Sequence, residues 1–370
     1  MFPTMTTASK VNGIAFIILL SGMFIYSAPK LWEFGEREKQ AVQLYRDGQL
    51  SRKFEGQYDS HFFMRESAIK AWSNLSYWLF NEGMTGVIVG HDGWLFTNEE
   101  FTFPNNLQAR MDRQLTRVEK AAASLKQHGK QLIVVPIPMK VDIYGEHVNY
   151  ALGNQPETLY RQFTQHLEQR DIPFAAVRDA YLRSKSEMPL FLKRDTHWTP
   201  EGARAAAQQL AREFPSLVGG EVYRSEVVRQ TWHAGDLINF LKMSDWLDPE
   251  LYAAEPLARY QTVKPSTSND DLDAASLFGN ETPPIVVVGS SYTKMDEWNF
   301  QGFLKESLKT DLLSVAIEQK GQFVAMDEFL TSDLLTDEQV KTVIWEFPVR
   351  SLISQASESS DWLTTMDEVF

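Results

Sequence analysis

Two short runs constrain the fold more than anything else in the chain. Gln131–Pro136 (QLIVVP) and Ile285–Val288 (IVVV) are apolar at consecutive core positions instead of alternating with polar residues. A strand with one wet face alternates, so runs like these belong to strands covered on both faces, the situation of parallel strands flanked by helices. Helical patterns lie between them. Leu107, Met111, Leu115, Val118, Ala122 and Leu125 form one stripe that stops at Gly129, a residue suited to the left-handed turn after a helix. A helix near Thr158–Gln169, a short strand around Phe174–Val177 and a helix near Arg178–Lys185 repeat the unit. Thr199-Pro200 opens another helix, with Thr as N-cap and Pro at the first helical position. Leu312–Ile317 and Val343–Phe347 read as further strands, with a helix at Met326–Leu335 between them. This alternation predicts an α/β fold, a doubly wound parallel sheet flanked by helices. Ahead of it, GVIVG (Gly86–Gly90), His91-Asp92-Gly93 and Trp94-Leu95-Phe96 read as a hairpin, with Asp-Gly supplying positive φ at the turn. The polar, acidic segment Gln261–Pro284 reads as an inserted loop.

Val11–Ala28 (VNGIAFIILLSGMFIYSA) is almost wholly apolar and falls within the roughly 17–25 residues that cross a bilayer. Bulky Tyr26 and Pro29 give poor geometry for signal cleavage after Ala28. An uncleaved signal anchor is therefore expected, with the rest of the chain outside the cytoplasm; a cleaved, soluble form is the alternative. The expected organisation is an anchor over residues 1–30, a helical stalk and packing layer over 31–85, a catalytic domain over 86–350 and an acidic tail over 351–370. The aromatic residues of Phe54–Phe80 recur at helical spacing and are expected to pack on the domain that follows. The absence of cysteine excludes disulfides, thiolate metal sites and a thiol nucleophile. A net charge of −13 argues against a nucleic-acid partner.

Two constellations carry chemistry. In Asp195-Thr196-His197, residues two apart project to the same side of an extended loop, so Asp195 can accept from His197 Nδ1–H while Nε2 faces outward. A surface ion pair and a metal site are the competing readings; the other histidines show no metal-ligand spacing, and no metal is expected. In Val288-Gly289-Ser290-Ser291-Tyr292, a serine follows the carboxyl end of a buried strand, where doubly wound proteins place ligands. The segment is neither Gly-x-Ser-x-Gly nor a phosphate loop. Asp, His and Ser together form a nucleophilic set, although the residues alone do not choose between Ser290 and Ser291. Gly235-Asp236-Leu237 looks like a nucleophile block but lacks the serine.

These motifs resemble a known family. Gly90–Phe96 with Glu99-Glu100-Phe101, Val135–Lys140, Asp195–Thr199, Gly235–Leu237, Gly289–Tyr292 and Trp298–Phe300 are similar, in order and over about Tyr58 to Arg350, to the SGNH-like O-acetyltransferases of bacterial exopolysaccharides, the alginate O-acetylase J and X group. The resemblance implies an SGNH hydrolase-like fold with Ser291 as nucleophile, His197 as general base and acid, and Asp195 as its orienting partner. It also implies ping-pong acetyl transfer to hydroxyls of a polymer such as alginate, with no soluble cofactor. The implied partners are a membrane-bound O-acyltransferase and a small periplasmic acetyl-relay protein. X-type members carry a further carbohydrate-binding module, whereas 20 residues follow Arg350 here; with the apparent anchor, this favours the J type.

Around the triad, Trp198, Tyr292 and Trp298 suit either sugar stacking or core packing. Ser290 and Asn299 are candidate oxyanion or substrate contacts, and Lys140 and Arg350 suit uronate carboxylates or structural ion pairs. An acetylesterase of the same fold and a non-catalytic polymer-binding assembly subunit are the competing functions.

Overall fold

The computed structural model describes residues 7–83, 85–149, 153–265, 282–318 and 321–354. The chain divides into two compact units, Met1–Trp72 and Ser73–Phe370.

In the first unit one helix runs over Thr7–Arg37 and continues through Pro29. Within its Lys10–Arg37 portion an 18-residue stretch has a mean hydropathy of 1.9, and the helix is long and apolar enough to cross a membrane. Tyr26 on this helix packs against Tyr58, Phe62 and Phe63, and Phe34 packs against Phe54. The Ser27 and Tyr58 hydroxyls are 2.7 Å apart.

The second unit is built on a sheet. Its strands are β1 (Val87–Val89), β2 (Leu95–Thr97), β3 (Gln131–Ile137), β4 (Arg224–His233), β5 (Glu255–Val263), β6 (Ile285–Gly289), β7 (Leu313–Ala316) and β8 (Thr342–Pro348). Four of them form the expected parallel sheet in the order β3-β8-β6-β7. Every residue of β6 and β8 is buried, as strands covered on both faces require. Each fully buried aliphatic or aromatic side chain here contributes about 1.5–3 kcal/mol, and Val286, Val287, Ile344, Trp345 and Phe347 are all fully enclosed.

The helices Leu107–Gln127, Gln155–Gln169, Val177–Ser184 and Pro200–Glu213 fall where the periodicity placed them. Thr199 caps the last of these, its hydroxyl accepting from Gly202 N–H at 3.0 Å. The β1–β2 hairpin forms in antiparallel register, with Asp92 and Gly93 at φ +56° and +73°.

Three local expectations change. The strand expected at Phe174–Val177 is a single parallel bridge from Phe174 to Val134, because Val177 already starts a helix. The helix expected at Met326–Leu335 runs over Gly321–Leu330; Thr331 and Ser332 then bond back to the carbonyls of Asp327, Glu328 and Phe329 and end it. On the helix Arg65–Phe80, Trp72 and Trp78 are 61% and 73% exposed, and the buried residues are Ser73 and Ser76. The small polar face is the one that packs: Ser73 Oγ donates to Leu241 O at 2.7 Å.

The antiparallel ribbon β4–β5 was not anticipated, since little of it is buried and its exposed positions mix polar residues with Val227, Val228 and Trp232. Gln261–Val263 belongs to this ribbon, while residues 266–281 of the expected loop and 355–370 of the tail lie outside the described residues. A second, smaller core joins the hairpin to the segment after β4 through Val87, Val89, Leu95, Leu237, Leu241, Met243 and Leu251.

Candidate active site

The serine side of the site begins at the carboxyl end of β6. Gly289 is required sterically: a Cβ there would lie 2.3 Å from Thr293 Oγ1 and 2.6 Å from Glu346 Oε2. Glu346, fully buried on the neighbouring β8, accepts from Ser290 N–H at 2.7 Å and from the hydroxyls of Ser290 and Thr293 at 3.0 Å each. Burial pushes the Glu346 carboxyl up, and these donors oppose that rise. Ser290 Oγ also accepts from Tyr292 N–H at 3.3 Å, capping the four-residue helix Ser291–Lys294. Ser290 is therefore tied inward, and Ser291 is the serine that faces the site.

Opposite it lies the loop that precedes the Pro200 helix. His197 Nε2 is 2.8 Å from Ser291 Oγ, and His197 Nδ1 is 2.7 Å from Asp195 Oδ1. Asp195 Oδ1 also accepts from His197 N–H at 2.8 Å. Its second oxygen accepts from His233 Nε2 at 2.8 Å and from Asp236 N–H at 3.0 Å. Burial alone would raise the Asp195 carboxyl, but hydrogen bonds from both imidazoles hold it well below the usual carboxylate range. With the proton on His197 Nδ1, Nε2 is left to accept from the serine hydroxyl.

The block Gly235-Asp236-Leu237 is a strap over this loop. Asp236 accepts from Thr196 N–H at 2.8 Å and from its hydroxyl at 2.6 Å. A Cβ at Gly235 would lie 1.9 Å from Arg194 O, a backbone atom with little freedom to withdraw. Gly235→Ala is thus expected to destabilise the protein by about 1–3 kcal/mol through overpacking, and a thermal unfolding midpoint equal to wild type would contradict the closeness of the strap. Glu255 at the start of β5 holds the approach, accepting from the N–H groups of Lys193 and Arg194 at 2.9 and 2.8 Å.

Among the described residues, Asp195, His197 and Asp236 bring three candidate metal-binding atoms within 4.8 Å of one another. Those atoms are already engaged in the hydrogen bonds described above, which satisfy a proton-transfer network.

The accessory residues divide. Trp198 is fully buried against Tyr292 and Phe300. Trp298, also fully buried, lies parallel to the His197 ring at 5.4 Å and edge-on to His233. Buried Tyr292 donates its hydroxyl to Thr196 O. All three are packing partners of the triad loop, in keeping with the core-packing reading. Asn299 is turned to Thr262, donating from Nδ2 at 3.0 Å, and lines a groove apart from Ser291.

Lys140 is buried, its ammonium donating to the carbonyls of Leu95, Lys193 and Asp195 at 2.6, 2.8 and 3.0 Å. Burial lowers it to about 8, against the pull of Glu100 and other carboxylates. It is a strut under the Asp195 loop and is not available to a substrate carboxylate. Replacing it with Met would orphan three carbonyls; Lys140→Met is expected to cost about 3 kcal/mol, read as a fall in the denaturant midpoint, and an unchanged midpoint would remove this role.

Arg350 sits beside the Tyr292 ring at 5.6 Å, and its Nη1 has no hydrogen-bond partner among the described residues. Burial works against its charge, but Tyr292, Glu99, Glu100 and Asp236 hold the guanidinium above its ordinary value.

Sequence reading missed His233 and Glu346. Glu346 did carry a signal, as the lone charge inside the strand TVIWEFP. His233, on a mostly exposed ribbon, carried none.

A parallel sheet with a Ser–His–Asp chain at its carboxyl edge defines an SGNH-type domain. Residues 87–349 match the family described as "SGNH hydrolase-like domain, acetyltransferase AlgX", and the chain belongs to that family. Among similar proteins is the probable alginate O-acetylase AlgJ of Pseudomonas putida, 32% identical over 354 residues that cover 94% of this chain and 91% of that protein. The AlgJ protein of Pseudomonas aeruginosa is 32% identical over 336 residues, covering 86% of this chain and 85% of its own. The solved structure of the O-acetyltransferase domain of Pseudomonas putida AlgJ superposes with a TM-score of 0.66 at 29% identity, over 77% of this chain and 99% of that one.

Proposed function

We propose that this protein is an alginate O-acetyltransferase that works through an acetyl-serine on Ser291. The observation that supports this most is the continuous hydrogen-bonded chain Asp195–His197–Ser291, with links of 2.7 and 2.8 Å. The named AlgJ relatives supply the acetyl group and the polymer.

In the first half-reaction Ser291 Oγ attacks the acetyl carbonyl of a donor ester while His197 Nε2 takes the hydroxyl proton. The C–O bond to the donor breaks, and His197 returns the proton to the departing oxygen. In the second, a sugar hydroxyl gives its proton to His197 and attacks the acetyl carbonyl, and Ser291 leaves with a proton from His197. Asp195 stabilises the imidazolium formed each time. Of the neighbouring amides, those of Ser290 and Tyr292 are committed to Glu346 and to Ser290 Oγ. The Ser291 N–H, at the start of its helix, is left to face the oxyanion.

Two features support an acidic acceptor despite the −13 of the whole chain. Arg350 holds an unfilled donor beside Tyr292. A groove of about 610 Å³ between β4–β5 and the helix Phe300–Leu308 is lined by three bases, Arg229, Arg259 and Lys305, against one acid, Asp296. Arg259 and Lys305 are paired with Glu297 and Asp311, whereas Arg229 has no ion pair among the described residues.

Residues 11–28 would anchor the protein in the bacterial inner membrane, with residues 31–85 as stalk and 86–350 as catalytic domain on the periplasmic side. Acetyl groups would arrive from a membrane-bound O-acyltransferase through a small periplasmic relay protein. The test is incubation with p-nitrophenyl acetate and mannuronate oligomers, weighing protein and sugar by mass spectrometry. Acetylated oligomer supports transfer, while free acetate with unmodified sugar would make the protein an esterase.

A further inference from the structure

Asp195 is shared between two imidazoles, and only one of them touches the serine. His233, the last residue of β4, donates from Nε2 to Asp195 Oδ2 at 2.8 Å, while His197 holds Oδ1 at 2.7 Å. The indole of Trp298 separates the two rings, parallel to His197 (22°) and edge-on to His233 (76°), each at a centroid distance of 5.4 Å. The polar contact of His233 is with the carboxylate itself, on the oxygen that His197 does not use. The strap adds the remaining bond, from Asp236 N–H to the same Oδ2.

We infer that His233 is a positioning residue for acetyl transfer, which fixes the Asp195 carboxylate through Oδ2 and tempers its negative charge, thereby setting the basicity of His197. This inference rests on the triad reading given above. The physical reason is competition. A carboxylate that already accepts a strong hydrogen bond on one oxygen is a weaker acceptor on the other, so the bond that orients His197 is held in place without being made so strong that His197 remains protonated.

The surroundings favour a charged His233. Four carboxylates face it: Asp195 and Asp236 from the triad loop and strap, Glu255 directly across the ribbon, and Glu297 from the segment after the serine helix. Cations offset two of these carboxylates, leaving Asp195 as the acid that acts on His233 most directly. Arg259 pairs with Glu297 at 2.8 Å, Arg194 lies 3.9 Å from Glu255, and Lys140 is buried beneath the Asp195 loop. The Asp195 hydrogen bond raises His233 from its usual range, and burial only partly offsets this. The ribbon thus brings a second positive charge to the far side of Asp195.

The test measures kcat and KM for p-nitrophenyl acetate across pH with the full chain and with His233→Ala, His233→Gln and Ser291→Ala. His233→Gln keeps a neutral donor near Oδ2 and removes the charge. It is expected to retain kcat within about threefold while moving the acid limb of kcat/KM up by about one pH unit, since an imidazolium on His197 is no longer opposed by a neighbouring cation. His233→Ala is expected to move the limb the same way and to lower kcat by about tenfold, the scale of one lost charge-assisted hydrogen bond, with KM little changed. A role confined to fold stability would lower the unfolding midpoint and leave the acid limb in place. If Ser291→Ala is inactive while both His233 variants keep the wild-type profile and kcat, the inference is overturned and the triad stands. If Ser291→Ala remains active, the triad reading itself fails.

Discussion

Ser291→Ala is expected to lower acetyl transfer by at least about a thousandfold, the scale on which loss of an activated serine nucleophile is felt, and to abolish the acetylated form of the protein. The fold should be unaffected. Ser291 is only half-buried, and among the described residues its side chain is held by His197 alone, so the change in stability should stay within about 0.5 kcal/mol. Ser290→Ala is the informative contrast. That hydroxyl belongs to Glu346, and removing it takes one donor from a buried carboxylate, so stability should fall while acetyl-protein still forms. Mass spectrometry after a donor pulse separates the two serines, and acetylation that persists in Ser291→Ala would overturn the assignment.

Asp195→Asn should be nearly as damaging, because Asp195 receives donors on both oxygens. An amide has one oxygen and one NH₂. If its oxygen faces His197 Nδ1, its NH₂ meets His233 Nε2–H and Asp236 N–H, donor against donor. If it is flipped, its NH₂ meets the Nδ1 of His197 and forces the proton onto Nε2, which then points a donor at Ser291 where an acceptor is needed. A fall in kcat of about 10³–10⁴ follows from loss of the working tautomer, with the pH–rate profile as the accompanying measurement; activity within tenfold of wild type would contradict the shared-carboxylate geometry. Stability should also respond to pH. Asp195 is depressed, so its contribution is present above about pH 4 and is lost as pH falls. His233 is raised, so its contribution is full below about pH 6.5 and is lost as pH rises through its higher folded value. Wild type should therefore lose stability on the alkaline side, and Asp195→Asn should lack that loss.

Legibility followed the range of the interactions. The parallel strands could be read because burial on both faces selects mostly apolar residues, and β6 and β8 are buried throughout, with Glu346 as the charged exception. The hairpin could be read because Asp92-Gly93 supplies φ values that few other pairs adopt. The ribbon could not be read, since a mostly exposed strand pair imposes little pattern on its residues. Trp72 and Trp78 misled for the opposite reason: helical spacing of aromatics signals a face, but which face packs depends on its neighbour, here a serine face seated on Leu241.

The same division holds within the site. Asp195 and His197 are two residues apart, so their pairing is a local property of an extended loop that the chain itself encodes. Their meeting with Ser291, 94 residues on, depends on the loop before the Pro200 helix and the end of β6 converging at one edge of the sheet. Which of two adjacent serines faces the histidine was settled by Glu346, a residue of another strand that takes hold of Ser290. Lys140 lies in one of the motifs that carry the resemblance, but its cation is spent on three carbonyls, a use visible only once the chain folds back over it. By itself the sequence determined the sheet, the apolar first helix and the Asp–x–His pair, because each follows from contacts within a few residues or from burial on both faces. Tertiary structure alone decided the second histidine on Asp195, the hold of Glu346 on Ser290 and the closeness of the Gly235 strap. Those depend on hydrogen-bond partners brought together from distant parts of the chain, for which no local pattern exists.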